Sequence, residues 1–191
     1  MQALTEKPCP KHSTPADEDL YALFRYNAAL IARNVSSSIF MHEKIRFGRS
    51  RVQLIEKAKK NNVVVKRGFD LKQFITIAEE VLIERHGIKP VHTTEEIKLL
   101  TDRFPDNIKL FASFKDDVML GGTIIYESKN VVHAQYGVNS KEDWDLGALD
   151  IVYDFIINNY CKGKRYFDFG ISTEKAGNFL NVGLVCYKES F

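Results

Sequence analysis

Three β-rich runs in close succession between residues 108 and 138 constrain the fold more than any other feature of the sequence. They are IKLFASF, VMLGGTIIYES and VVHAQYGV, joined by the connector KDD and by turn residues around Lys129 and Asn130. Runs of β-branched and aromatic residues separated by short polar turns are typical of antiparallel hairpins. The sequence therefore predicts a three-stranded antiparallel meander.

Helical patterns and two further strands surround this meander. Helices are predicted over residues 17–35, 50–61, 70–85, 93–104 and 147–160, and a further helix is expected to begin within STEKAGNFLNVGL. The predicted core sheet comprises residues 62–67, 108–115, 118–127, 131–137 and 166–169, with Ile151, Val152, Phe155 and Ile156 as the helix face packed on it. We expect an α/β (α+β) fold with a mixed, mostly antiparallel sheet flanked by helices.

Charge is distributed unevenly along the chain. Residues 1–67 contain 13 Lys and Arg against 6 Asp and Glu, and the segment Lys44 to Arg67 has nine cations with Glu56 as its one acid. Such a block attracts phosphates of a nucleotide or of RNA, although a solvated helix face has the same pattern. No apolar run is long enough for a membrane span, so we expect a cytoplasmic protein.

Several stretches resemble one acyltransferase family. SRVQLIEKAKKNNVVV, HGIKPVH, VHAQYGV, LGALD, YFDFGIS and GLVCYKESF resemble the FemAB-like branch of the GNAT superfamily, whose members contain two tandem GNAT-like halves. Residues 1–16 are polar and contain Pro8, Pro10 and Pro15, so we expect a mobile segment there. The resemblance implies a helical remnant of the first half at 17–61 and a GNAT-like domain at 62–191. Relative to that branch, the last two strands are expected to be missing.

In the GNAT fold, the fourth strand and the helix after it splay from the fifth strand and admit the pantetheine arm of an acyl-CoA. The resemblance therefore implies acetyl-CoA or another acyl-CoA as the donor and no metal. It assigns donor contacts to Tyr136, Gly137, Val138, Leu146, Gly147, Ala148 and Asn178. Gly147 and Ala148 suit a pyrophosphate at a helix N-terminus, but small residues there also permit close helix packing.

Three residues are candidates for the chemistry. An imidazole titrates near neutral pH, so His133 is a candidate general base for an attacking amine. Asp168 lies between two phenylalanines, which requires a partner for its charge. Tyr187 is a candidate general acid by the resemblance. Strand alternation places His133 and Gln135 on one face, where they could act on substrate or simply satisfy each other.

The acceptor side is predicted around a turn and at a strand end. His86, Lys89, Gln135 and Ser172 are the candidate substrate contacts. The leading hypothesis is transfer of an acyl group from acyl-CoA to the amine of a small molecule, an amino sugar or an amino acid. Two alternatives remain: an aminoacyl-tRNA donor, for which the basic segment is suited, or a non-catalytic module that dimerises through an unpaired sheet edge.

Overall fold

The computed structural model describes residues 18–68, 70–87, 90–140 and 144–191, and the side chains of residues 85 and 86 are not among the described positions. The elements are α1 (Glu18–Arg25), β1 (Ser36–Phe40), α2 (Arg49–Lys60), β2 (Val64–Arg67), α3 (Leu71–His86), α4 (Thr94–Arg103), β3 (Ile108–Lys115), β4 (Val118–Glu127), β5 (Val131–Asn139), a 3₁₀ turn (Trp144–Leu146), α5 (Ala148–Phe155), a π turn (Ile156–Tyr160), β6 (Tyr166–Ile171), β7 (Thr173–Glu174), β8 (Phe179–Leu180) and α6 (Val182–Glu189).

The main sheet confirms the predicted antiparallel meander of β3, β4 and β5 and places it beside β6 on one side and β2 on the other. Among the described residues it has six strands in the order β1-β6-β5-β4-β3-β2, and every neighbouring pair is antiparallel except β5 with β6. The glycine pair Gly121-Gly122 on β4 faces neighbouring backbones that a side chain would strike at 2.4 to 2.5 Å. The meander is therefore packed too closely there for any larger residue.

Helices cover the sheet on both sides. The α5 face is packed by α5 and by Phe191, against inward residues that include Val132, Ala134, Phe167 and Phe169. The α3–α4 face is packed by α3 and α4 against Ile124, Val138 and their neighbours. Side chains cap both helices: Asp70 accepts from the first turn of α3, and Thr93 and Glu96 form a capping box on α4.

The region 17–61 differs from the predicted helical remnant. Helix α1 ends at Arg25, close to Asn27 with its left-handed φ of 50°, and none of its residues is buried. Residues 36–40 form a strand, β1, which pairs antiparallel with β6. The segment thus completes the same sheet as the rest of the chain, and β6 is not the unpaired edge that the dimerisation alternative requires.

The segment after β6 also differs from the prediction. Instead of starting a helix, it forms the short hairpin β7–β8, and α6 begins only at Val182. Lys175, Ala176 and Gly177 all have left-handed φ values, which reverse the chain where a helix would have to continue. The first 16 residues, predicted to be mobile, lie outside the described residues. No described helix has the length and apolar composition that crossing a membrane requires.

Candidate functional site

Strands β5 and β6 pair over only three residues and then separate. Their parallel register runs from Val131 with Tyr166 to His133 with Asp168 and ends there, although β5 continues to Asn139 and β6 to Ile171. This produces the splayed arrangement that the family resemblance implies. We call the gap between residues 134–139 of β5 and 169–171 of β6 the cleft, and His133 and Asp168 stand at its closed end.

A β-bulge changes which side chains face the cleft region. The register of β4 with β5 pairs Ile125 with Ala134 but Ile124 with Tyr136, so Gln135 is an extra residue on β5. The alternation predicted from sequence is therefore wrong for Tyr136, although the Gln135 side chain contacts His133 as that alternation predicted. His133 and Tyr136 lie on the same α3–α4 face, whereas strict alternation puts them on opposite faces.

Asp168 and His133 form a direct pair across the two strands. His133 Nδ1 lies 2.7 Å from Asp168 Oδ2, and the side chains are 32% and 5% exposed. His133 Nε2 lies 3.2 Å from Gln135 Oε1. The carboxylate is thus buried behind the imidazole, and the histidine is the member of the pair that solvent or a ligand reaches.

Three further groups donate to the other oxygen of Asp168. Ser36 Oγ and Ser38 Oγ of β1 lie 2.6 and 3.0 Å from Oδ1, and the backbone N–H of Gly170 lies 3.1 Å from it. Burial alone raises the pKa of Asp168, but hydrogen bonds from His133 and Ser36 outweigh it and hold that pKa well below its ordinary value. The partner that this charge requires is therefore the protein itself.

The ionised Asp168 determines what His133 can do. A carboxylate at Nδ1 keeps the proton on that nitrogen, so the lone pair of a neutral imidazole is on Nε2. Nε2 is the atom turned away from Asp168, toward Gln135. The arrangement anchors Nδ1 to a carboxylate, as in a positioned general base, and leaves Nε2 facing an amide oxygen that accepts a hydrogen bond from it once it is protonated.

Gly170 and Lys188 shape the wall beside the imidazole. Gly170 has a φ of +73°, and a side chain on it would lie 3.2 Å from His133 Cε1. Lys188 Nζ donates to the carbonyl oxygens of Gly170 and Ile171 at 3.0 and 2.7 Å. Burial lowers the pKa of Lys188 to about 8, although Asp168 opposes the shift. The sequence showed Lys188 near the predicted site but gave no sign of this contact.

The opening of α5 is packed against α2. A side chain on Gly147 would lie 2.5 Å from the backbone oxygen of Leu54, and Ala148 is fully buried beside Ala58. Leu146 packs against the same cluster. Close helix packing accounts for the small residues here, so their predicted role in pyrophosphate binding gains no support and stays a prediction.

Other predicted donor contacts are spread over both faces of β5 and beyond it. Gly137 is exposed at the cleft, and a side chain on it would strike the Tyr153 hydroxyl. Tyr136 and Val138 lie on the α3–α4 face, where the Tyr136 hydroxyl hydrogen-bonds with His92 Nδ1. Asn178 is in the β7–β8 turn and donates to the carbonyl oxygen of Lys175 at 3.2 Å.

The remaining candidates are not brought together with the pair. Tyr187 packs on the α5 side, 4.8 Å below the Arg51 guanidinium, and burial raises its pKa well above the ordinary value. Ser172 is buried, and its hydroxyl has no hydrogen-bond partner within the described parts of the chain. Lys89 and the His86 side chain lie outside the described residues.

Sequence reasoning missed the serines of β1. Ser36 and Ser38 lie in a polar stretch, SSSIF, with a weak strand signal, and nothing local relates them to a residue 130 positions away. Metal binding has no visible basis: within the described ranges, no group of three or more His, Cys, Asp or Glu side chains could hold a metal ion.

The splayed sheet with its flanking helices has a GNAT-like fold. No protein-family model matches the sequence, and a search of curated proteins finds no match either. Solved structures with the same fold are known.

FemX matches with a TM-score of 0.65 and 13% identity over 81% of this chain and 57% of its own. L-PGS from Bacillus licheniformis matches with a TM-score of 0.61 and 12% identity over 91% of this chain and 61% of its own. An aminoglycoside acetyltransferase from an uncultured soil metagenomic sample, solved with sisomicin, matches with a TM-score of 0.51 and 16% identity over 69% of this chain and 88% of its own. At such identities the likeness shows a shared fold, and the chain spans about three fifths of FemX and L-PGS.

Proposed function

We propose that the chain is a GNAT-type N-acyltransferase that moves an acyl group, acetyl in the first instance, from acyl-CoA to an amine. The observation that carries this proposal is the His133–Asp168 pair at the closed end of the cleft, with the imidazole partly exposed and the carboxylate buried. The shared fold with an aminoglycoside acetyltransferase supports the same class of reaction.

The reaction requires one proton acceptor next to the amine. The amine nitrogen attacks the carbonyl carbon of the donor thioester, so a C–N bond forms, the C–S bond breaks and the electron pair leaves with sulfur. His133 Nε2 takes the proton that the attacking nitrogen loses, and Asp168 stabilises the imidazolium through Nδ1. Gln135 Oε1 lies 3.2 Å from Nε2 and accepts a hydrogen bond from the imidazolium that forms.

A backbone N–H of the separated strands is a suitable donor to the acyl carbonyl. Beyond Asp168, the facing edges of β5 and β6 are no longer paired with each other. Unpaired strand edges present N–H groups in fixed positions, and fixed donors stabilise the charge that develops on a carbonyl oxygen. Gly137 on that edge is exposed.

An aminoacyl-tRNA donor is the second candidate, and two observations favour it. Leu54 of α2 fills the space beside Gly147, which weakens the argument for a CoA pyrophosphate there. The exposed side chains of Lys57, Lys59 and Lys60 on α2 provide a cationic surface for a phosphate backbone. The ester of an aminoacyl-tRNA undergoes the same attack, with a ribose oxygen as the leaving atom.

The test measures binding of both donors and transfer to an amine. Calorimetry with acetyl-CoA and with tRNA identifies the donor, and labelled acetyl transfer to a panel of amino sugars and amino acids identifies the acceptor class. Transfer that disappears in His133→Ala and Asp168→Asn but survives in His42→Ala, an exposed histidine outside the cleft, supports the proposal. Absence of both donor binding and transfer overturns it and leaves the non-catalytic module.

A further inference from the structure

A second hollow lies away from the cleft, at the end of the sheet where β6 begins. It has a volume of about 200 Å³. Met41, which follows β1, forms its wall together with Ile157 of the π turn and the buried Cys161. We call this hollow the basal cavity. Neither His133 nor Asp168 lines it. The cleft opens beyond Asp168, toward the other end of β6.

Cations surround the basal cavity, and no carboxylate lines it. Lys44, Lys162 and Lys164 are all part of its rim. Lys164 is neutralised by Glu127 at 2.7 Å. Lys44 donates to the neutral amide oxygen of Asn158 at 2.5 Å, and neither it nor Lys162 forms an ion pair with any residue in the described ranges. Two positive charges at the rim therefore have no anionic partner among the described residues.

Cys161 is a buried member of the cavity lining. Burial raises the pKa of its thiol to about 12, and Glu127 adds to the shift, while Lys164 and Lys44 both oppose it. Asn158 lies in the π turn, and such turns occur frequently at functional sites.

We propose that the basal cavity binds a small phosphate-bearing anion, with Lys44 and Lys162 as its charge partners. Lysine ammonium groups bind phosphate as point charges, and several of them around an apolar floor attract an anion more strongly than they would in open water. Pockets for drug-sized ligands have volumes of about 300 to 1,000 Å³. The smaller volume here suits one or two phosphate groups on a short organic body, and the apolar floor suits that body.

Inorganic diphosphate is the probe for this site. Titration of the full chain, followed by amide chemical shifts and by calorimetry, is expected to show saturable binding that perturbs residues 157–164. The double variant Lys44→Ala/Lys162→Ala is expected to weaken binding roughly tenfold or more, because two charge-assisted contacts are removed. Lys72→Ala/Arg103→Ala, which removes the same charge from exposed positions of α3 and α4, is the matched control and is expected to bind within about twofold of the parent. Lys164 is left intact because it pairs with Glu127.

The outcomes separate a site from general electrostatics. Absence of saturable binding, or equal weakening in both double variants, overturns the proposal. A second arm compares phosphatidylcholine vesicles with and without phosphatidic acid. Cosedimentation that requires phosphatidic acid, Lys44 and Lys162 identifies a lipid headgroup as the phosphate source, whereas diphosphate binding without cosedimentation identifies a soluble one. Circular dichroism melts confirm that all variants are folded.

Discussion

The backbone oxygen of Leu54 in α2 occupies the position that a side chain on Gly147 would need. The separation from an added Cβ is 2.5 Å, and Gly147 has a φ of +73°. Ala148, the next residue, is fully buried against the same helix. The start of α5 therefore packs closely against α2, which gives Gly147 a role in stability regardless of any ligand.

Gly147→Val is expected to destabilise the protein by about 2 to 4 kcal/mol, since overpacking adds to the strain of a left-handed backbone. Urea unfolding measures the loss. Gly163→Ala is the matched control, because Gly163 also has a positive φ, +86°, but nothing lies within 4 Å of its added Cβ. Equal losses in the two variants would contradict the packing account. Acetyl-CoA binding lost at unchanged stability would restore the pyrophosphate account.

Asp168→Asn is expected to lower acyl transfer by about 10² or more, because the amide no longer stabilises an imidazolium at Nδ1. Single-turnover transfer rates check this, with thermal unfolding measured on the same sample. Ser38→Ala removes one donor from Oδ1 and leaves the His133 contact, so it serves as the milder comparison. A Ser38→Ala rate as low as that of Asp168→Asn would indicate general damage to the site.

The stabilising contribution of ionised Glu127 is expected to be lost in acid. Burial raises the pKa of Glu127, but hydrogen bonds from Lys109, Lys164 and Tyr160 outweigh it and hold that pKa at about 2, below the ordinary value of 4.5. A carboxyl group with a lowered pKa in the folded state stabilises the protein above its unfolded pKa. This contribution is lost as the pH falls from about 4.5 to 2.

The free energy of unfolding between pH 6 and pH 2.5 measures this contribution in the parent and in Glu127→Gln. The parent is expected to lose roughly 1 to 3 kcal/mol more than the variant over this range. Parallel pH profiles for the two proteins would show that the Lys109–Glu127–Lys164 cluster does not contribute.

If the donor is an aminoacyl-tRNA, tRNA affinity should depend on salt concentration through the lysines of α2. If tRNA binds there, log affinity should fall linearly with log salt concentration, because each neutralised phosphate releases counterions. Replacing Lys57, Lys59 and Lys60 by glutamate should reduce both the affinity and the slope. Filter binding at several salt concentrations measures them. Unchanged binding in the triple variant would remove this segment from any RNA site.

Much of the fold could be predicted from the sequence because its signals are local. The turn residues between β3, β4 and β5, the capping box at Thr93 and Glu96, and the apolar face of α5 each depend on a few neighbouring positions. The sequence also indicated His133 and Asp168 as candidate site residues, because a histidine on a central strand and an acid between two phenylalanines are unusual by themselves.

The tertiary structure decided how those residues meet. The bulge at Gln135 depends on the pairing of β5 with β4, and it turned Tyr136 onto the face that His133 occupies. Strand β1 exists because β6 offers it a partner, and only that pairing brings Ser36 and Ser38 to Asp168. Strand pairing over more than 100 residues of sequence leaves no local periodicity, since its free energy comes from contacts that form only in the folded chain.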